Sequence, residues 1–189
     1  FAKFDVIGSD AERTLERICA NRVGRAIGSI TYTPWLNERA GIEADVTVTR
    51  IAEHAFRIIT APTTRRKDWH WLMNHIPTGA DCLVSDVTEE WAVLSVMGPQ
   101  SRALLSSLTR VNLDNESFPF GTGQELEITG LTCWAQRITY VGELGWELYC
   151  PWNAALELFC AVFEAGKPLG IGLAGYHALD SCRIEKGYR

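Results

Sequence analysis

The sequence predicts an α+β fold in which antiparallel sheets are covered by helices, and three observations carry that expectation. Residues 41 to 50, GIEADVTVTR, alternate without a break: Ile42, Ala44, Val46 and Val48 against Glu43, Asp45, Thr47 and Thr49. Side chains on a strand change face at every residue, so this is a half-buried strand with one polar face. In SDAERTLERICANR the apolar residues Ala11, Leu15 and Ile18, and in TTRRKDWHWLMNHI Trp69, Leu72 and Ile76, fall at helical spacing. Between such helices the strands come in adjacent pairs, which favours hairpins over a doubly wound parallel sheet.

The elements follow in order. Ser9 with Glu12 three residues on has the form of a capping box at the start of the first helix. GSITYTPWLN reads as a strand running into a proline-initiated turn, and Asn37, Glu38 and Gly41 as a reversal leading into GIEADVTVTR. HAFRIIT alternates again and suits an antiparallel neighbour of that strand. CLVSDVT and WAVLSVMG read as two strands around a polar turn at Glu89 and Glu90. GPQSRALLSSLT has a proline near its first helical position. After the loop FPFGTG come the strands ELEITG and LTCWAQRITYV, the turn GELG and the strand WELYC. Asn153 caps NAALELFCAVFEAG, with Gly166 at its C-terminal stop, and GYHALDSCRIEKGYR reads as a last helix.

A length of 189 residues with no low-complexity run fits one domain, 1–189, or two small ones sharing a core. A net charge of −5 argues against an electrostatic nucleic-acid partner. No apolar run approaches the roughly 20 residues that span a bilayer, so no membrane role is expected. The six cysteines form no CxxC pair and lie mostly in apolar stretches, as reduced thiols of an intracellular protein do. A start without methionine and a stop inside a helical pattern suggest an internal piece of a longer chain.

Few segments point to chemistry. GIGLAG, residues 170 to 175, matches the dinucleotide fingerprint in letters but follows a helix instead of a strand, so a glycine-rich turn is expected. The four histidines make no metal-ligand spacing and no metal site is expected. The run at residues 65 to 67, RRK, is either a solvated face or a receiver of anions. Two carboxylates stand out. Asp45 lies mid-strand, where aspartate is disfavoured, and faces either water or a ligand. Glu143 lies in the turn of ITYVGELGWELY, bracketed by Gly142 and Gly145 and flanked by Tyr140, Trp146 and Tyr149. A carboxylate beside flat rings can accept two parallel hydrogen bonds from an N–C–N edge such as that of a pterin or guanine; a turn residue facing water is the alternative.

Taken together, KFDVIGSDAERTLERICAN, YTPWLNERAGIEADVTVTR, VMGPQSRALL, ITYVGELGWELY and ALDSCRIEKGYR resemble the folate-binding domain shared by glycine-cleavage T-protein (aminomethyltransferase) and the dimethylglycine and sarcosine dehydrogenases and oxidases. The resemblance covers nearly the whole chain in order. NERAGIEADVTVTR and YVGELGWELY look closer to the dimethylglycine/sarcosine branch, since T-proteins more usually show GGxxDD and GYTGEDGFE.

The resemblance implies tetrahydrofolate as the cofactor, with Asp45 beside the reacting folate nitrogens as the catalytic residue and Thr47 on the same strand face. Glu143 matches the glutamate that grips the pterin, and Tyr140 either packs on the pterin or fills the core. Where T-proteins tend to carry a folate-contacting arginine this chain has Leu179; Arg183 either meets the folate tail or pairs with Asp180 at i,i+3. The implied function is transfer of a one-carbon unit from an N-methyl amine, as iminium or formaldehyde, to form 5,10-methylenetetrahydrofolate. By the same resemblance FAD belongs to an oxidoreductase domain elsewhere in the full-length chain, and the setting is bacterial cytoplasm or mitochondrial matrix. A non-catalytic folate-binding regulatory module and an aminomethyltransferase proper are the alternatives.

Overall fold

The computed structural model describes residues 1–188, and the chain divides into two units, Phe1–Glu90 and a second from Trp91 onward. Each unit has its own antiparallel sheet and its own buried cluster.

The first unit contains β1 (Ala2–Ile7), α1 (Ala11–Glu16), β2 (Ile30–Leu36), β3 (Ile42–Ala52), β4 (Ala55–Thr60), α2 (Arg65–Asn74) and β5 (Leu83–Asp86). Its strand order is β2-β3-β4-β1-β5, antiparallel throughout. Ala44, Val46 and Val48 of β3 join Phe4, Phe56 and Ile58 under Leu15 of α1 and Leu72 of α2, all buried. Removing each large side chain of this set from water contributes about 1.5–3 kcal/mol. The polar face grades along β3: Asp45 is exposed, Thr47 half-buried and Thr49 buried. Opposite the core, the fully paired Asp5 and Arg57 face each other across β1 and β4 through two bonds of 2.8 Å.

Two local expectations change here. The capping box does not form, because Asp81, far along the chain, takes both the Ser9 hydroxyl at 2.8 Å and its N–H at 2.9 Å. Asp10 becomes the N-cap, and the helix is only six residues long. Pro34 does not start a turn but lies inside β2, tolerated because β2 is an edge strand. Pro34 O accepts from Ala20 N at 3.0 Å and Leu36 N donates to Ile18 O at 3.2 Å, so a loop segment runs along that edge.

The second unit contains β6 (Trp91–Met97), α3 (Ser101–Ser106), β7 (Thr122–Ile128), β8 (Leu131–Arg137), β9 (Gly145–Pro151), α4 (Ala155–Gly166) and α5 (Tyr176–Lys186). Its sheet order is β6-β9-β8-β7. The predicted β5–β6 hairpin is absent: the two strands belong to different sheets, and Glu89 and Glu90 mark the end of the first unit. Thr129 (φ 51°) and Gly130 (φ 86°) make the tight turn between β7 and β8, the positive-φ pair that matches strand twist. Trp146, Leu148 and Cys150 of β9 pack with Leu105, Phe118, Leu158 and Val162.

The Pro of GPQSRALL sits ahead of the N-cap Gln100, not in the first helical turn. Asn153 lies in a single 3-10 turn before α4 and makes no side-chain cap. Gly166 is still helical, and the left-handed residue is Gly170; Gly166 is small because a Cβ there would meet the Ile171 side chain at 2.8 Å. GIGLAG is the connection from that turn to α5, with no strand before it.

All six cysteines are free thiols, Cys160 and Cys182 exposed. Burial pushes Cys19 up to about 12 and Cys133 up to about 11, which keeps them protonated and unreactive. Among the described residues no helix is long and apolar enough to cross a membrane, and no group of three or more His, Cys, Asp or Glu is arranged to hold a metal.

Candidate functional site

Asp45 is placed by three properties of β3. The alternation turns its side chain away from the core, the strand is second from the edge, and its register partner on β2 is Pro34. Tyr32, diagonal to it across the ladder, donates its hydroxyl to Asp45 Oδ2. Thr47 stands opposite Tyr32 on the same face. The neighbouring carboxylate, Glu43, is differently occupied. Asn37 Nδ2 donates to its Oε1 at 2.7 Å, and Lys67 reaches both its backbone oxygen and, at 3.9 Å, its carboxylate. Asp45 is thus an exposed carboxylate on this face, and the Tyr32 hydroxyl holds it.

The basic run is tied up within the first unit. Arg65 donates to Asp86 and to Glu89, each at 2.7 Å, and Lys67 goes to Glu43, while Arg66 is exposed and has no ion pair among the described residues. This matches a structural and solvated face.

In the second unit the loop at residues 138–144 joins β8 to β9. Gly142 N donates to Thr139 Oγ1 at 3.0 Å, while Leu144 O accepts from Gly98 N at 2.8 Å and Ser101 Oγ at 2.9 Å. Tyr140 is half-buried here; burial raises its phenol, opposed by the Arg183 guanidinium and reinforced by Asp180. Arg183 pairs with Asp180 at 3.0 Å and also donates to Tyr188 O at 2.8 Å. Glu143 is exposed and makes no hydrogen bond among the described residues.

The bracketing glycines serve packing. At Gly142, φ is 79° and a Cβ would meet Lys186 Cγ at 2.3 Å. At Gly145 a Cβ would lie 2.5 Å from Val96 O, a backbone atom that cannot give way. Gly145→Ala is expected to cost about 1–3 kcal/mol through overpacking, read as a lower urea midpoint at unchanged slope. An unmoved midpoint would contradict that close approach.

One carboxylate escaped the sequence reading. Glu147, on the central strand β9, is half-buried beside the fully buried Gln136 and accepts from Tyr149 Oη at 2.6 Å. Burial pushes its carboxyl up from the ordinary glutamate range, against the Tyr149 hydroxyl, which favours the ionised form. In WELYC it reads as the polar half of an alternation. No sequence signal set it apart; only the sheet order places it on a strand bordered by strands on both sides, where a carboxylate is costly unless something uses it.

The fold is shared with a solved structure. The glycine cleavage system aminomethyltransferase T from Bartonella henselae matches with a TM-score of 0.82 and 28% identity, over 98% of this chain and 48% of that one. The fold is thus of the aminomethyltransferase type. The GCVT N-terminal domain matches residues 1–189, and the chain belongs to that family. It is 40% identical to 4-methylaminobutanoate oxidase (formaldehyde-forming) of Paenarthrobacter nicotinovorans and 37% identical to human mitochondrial sarcosine dehydrogenase, in both cases over 100% of this chain. It spans only 23% and 22% of those two proteins.

Proposed function

We propose that this chain binds tetrahydrofolate and serves as the one-carbon acceptor domain of a dimethylglycine- or sarcosine-type oxidoreductase. The observation that carries the reading is Asp45, an open carboxylate held by one tyrosine on an otherwise paired sheet face, in a chain of this family. The relatives named as an oxidase and a dehydrogenase support the oxidoreductase context, and their length leaves room for a flavin domain.

The chemistry asked of the protein is modest. A folate amine attacks the carbon of an iminium or of formaldehyde, a C–N bond forms, and an amine or water departs. The proton of the attacking nitrogen leaves with the departing amine or water, and the second folate nitrogen then closes the ring and sheds its own proton. Asp45 orients the attacking amine, stabilises the positive charge that develops on it and accepts the proton. Thr47 lines the same face. Glu143 and Tyr140 are assigned to the pterin by the motif they occupy, and Glu147 offers a better-held carboxylate for its N–C–N edge. Arg183, committed to Asp180 and Tyr188, has only part of its guanidinium to offer a folate carboxylate.

Calorimetric titration with tetrahydrofolate, beside Glu143→Gln, tests the binding. Absence of heat and of a thermal shift in a folded chain would overturn the reading; unchanged affinity in the variant would remove Glu143 from it. Tyr32→Phe is expected to lower kcat several-fold with KM for folate unchanged, because it loosens Asp45 without touching the pterin. An equal rise in KM would make Tyr32 a binding residue instead. A non-catalytic folate module is the second reading, distinguished by binding without turnover.

A further inference from the structure

We propose that Arg102 and Arg137 form a binding site for a small oxyanion, a carboxylate or phosphate group, independent of the folate reading. Arg102 lies on α3 and Arg137 ends β8, and both guanidinium groups stand over the ring of Trp146, their central carbons 5.8 and 5.7 Å from its centroid. Both donate to one neutral acceptor, Asn115 Oδ1, at 2.6 and 2.8 Å, and Arg137 also donates to Phe118 O at 2.6 Å.

Among the described residues the pair is unlike the other arginines that are buried or half-buried. Arg50 has Glu12, Arg57 has Asp5, Arg65 has Asp86 and Glu89, and Arg183 has Asp180. Arg102 and Arg137 have no carboxylate in ion-pair range among the described residues. Two half-buried cations held against one amide oxygen repel each other, and an anion between them would reverse the sign of that interaction.

Unmet donors mark the same cluster. Arg102 Nε–H and the indole N–H of the wholly buried Trp146 have no acceptor among the described residues, as is also true of Arg50 Nε–H and the indole N–H groups of Trp35, Trp71 and Trp134; here two of them fall in one cluster. Unpaired buried donors are costly, and native proteins rarely keep them without a use. A guanidinium presents Nε–H and Nη–H as a planar fork that grips two oxygens of a carboxylate or phosphate. The Trp146 face and the bonds to Asn115 and Phe118 hold both guanidinium groups before the anion arrives, so little ordering remains to be done on binding.

The test titrates the 189-residue chain with inorganic phosphate and, separately, with glutarate, at matched ionic strength, by calorimetry and by the arginine Nε–H resonances. The expected result is binding of at least one probe, a shift of the Arg102 Nε–H signal, and at least tenfold weaker binding in Arg102→Gln. Phosphate alone, or glutarate alone, identifies the group recognised. Arg102→Lys keeps the charge and the stem but loses the fork; it is expected to fold even where the glutamine variant does not, and to bind weakly. No binding of either probe, or binding unchanged in both variants, would overturn the site and leave the arginines as a clamp on Trp146.

Discussion

Asp45→Ala is expected to slow methylenetetrahydrofolate formation by about 10²–10⁴-fold, the usual contribution of a positioned acid–base group. Folding stability is expected to change by no more than about 0.5 kcal/mol, because the side chain is exposed and its loss frees only the Tyr32 hydroxyl into water. The two readouts separate the roles. A rate loss at constant melting temperature assigns Asp45 to the chemistry. A rate above the uncatalysed background that equals wild type would remove Asp45 from the mechanism and pass its role to another group.

Glu147→Gln carries the second large effect, with two signatures of opposite sense. Folate affinity is expected to fall by at least tenfold, since an amide cannot accept both hydrogen bonds from an N–C–N edge. Stability at neutral pH is expected to rise. The sign follows from the direction of the shift: a carboxyl whose folded value is raised keeps more protons folded than unfolded across the window between the two values. Wild-type stability therefore falls as pH climbs from the ordinary glutamate range through the raised one. Glutamine has no proton to lose and can still accept the Tyr149 hydroxyl. Chemical denaturation of both proteins at acidic and neutral pH checks this, with the curves together in acid and apart at neutrality. The reverse order would mean that Glu147 is stabilised as a carboxylate.

The sequence made strands legible wherever one face is wet. The alternation of residues 41–50 located β3 and put Asp45 on the polar face, and the pairing with β4 followed from adjacency. Partnership was less legible than strandedness. CLVSDVT and WAVLSVMG both read as strands, but strand character does not say which strand lies alongside. Caps failed for a similar reason. Ser9 has the right local chemistry, but an aspartate 72 residues away competes for its hydroxyl, and no window-based reading sees that partner. Glu147 was hidden because a polar residue at an alternating position normally means solvent. Arg102 and Arg137 were hidden because they meet only in space, over a tryptophan that the sequence shows as one more apolar letter.

Pro34 has a consequence for the behaviour of the chain in solution. An edge strand with free N–H and C=O groups is a template on which a second chain can add a strand, the first step toward aggregation. On the outer side of β2 the oxygen of Pro34 and the N–H of Leu36 are already taken by Ala20 and Ile18, and Pro34 has no N–H to leave unmet. The ladder is capped by the molecule's own backbone, so the β2 edge gives a neighbouring molecule no register on which to start a fibre.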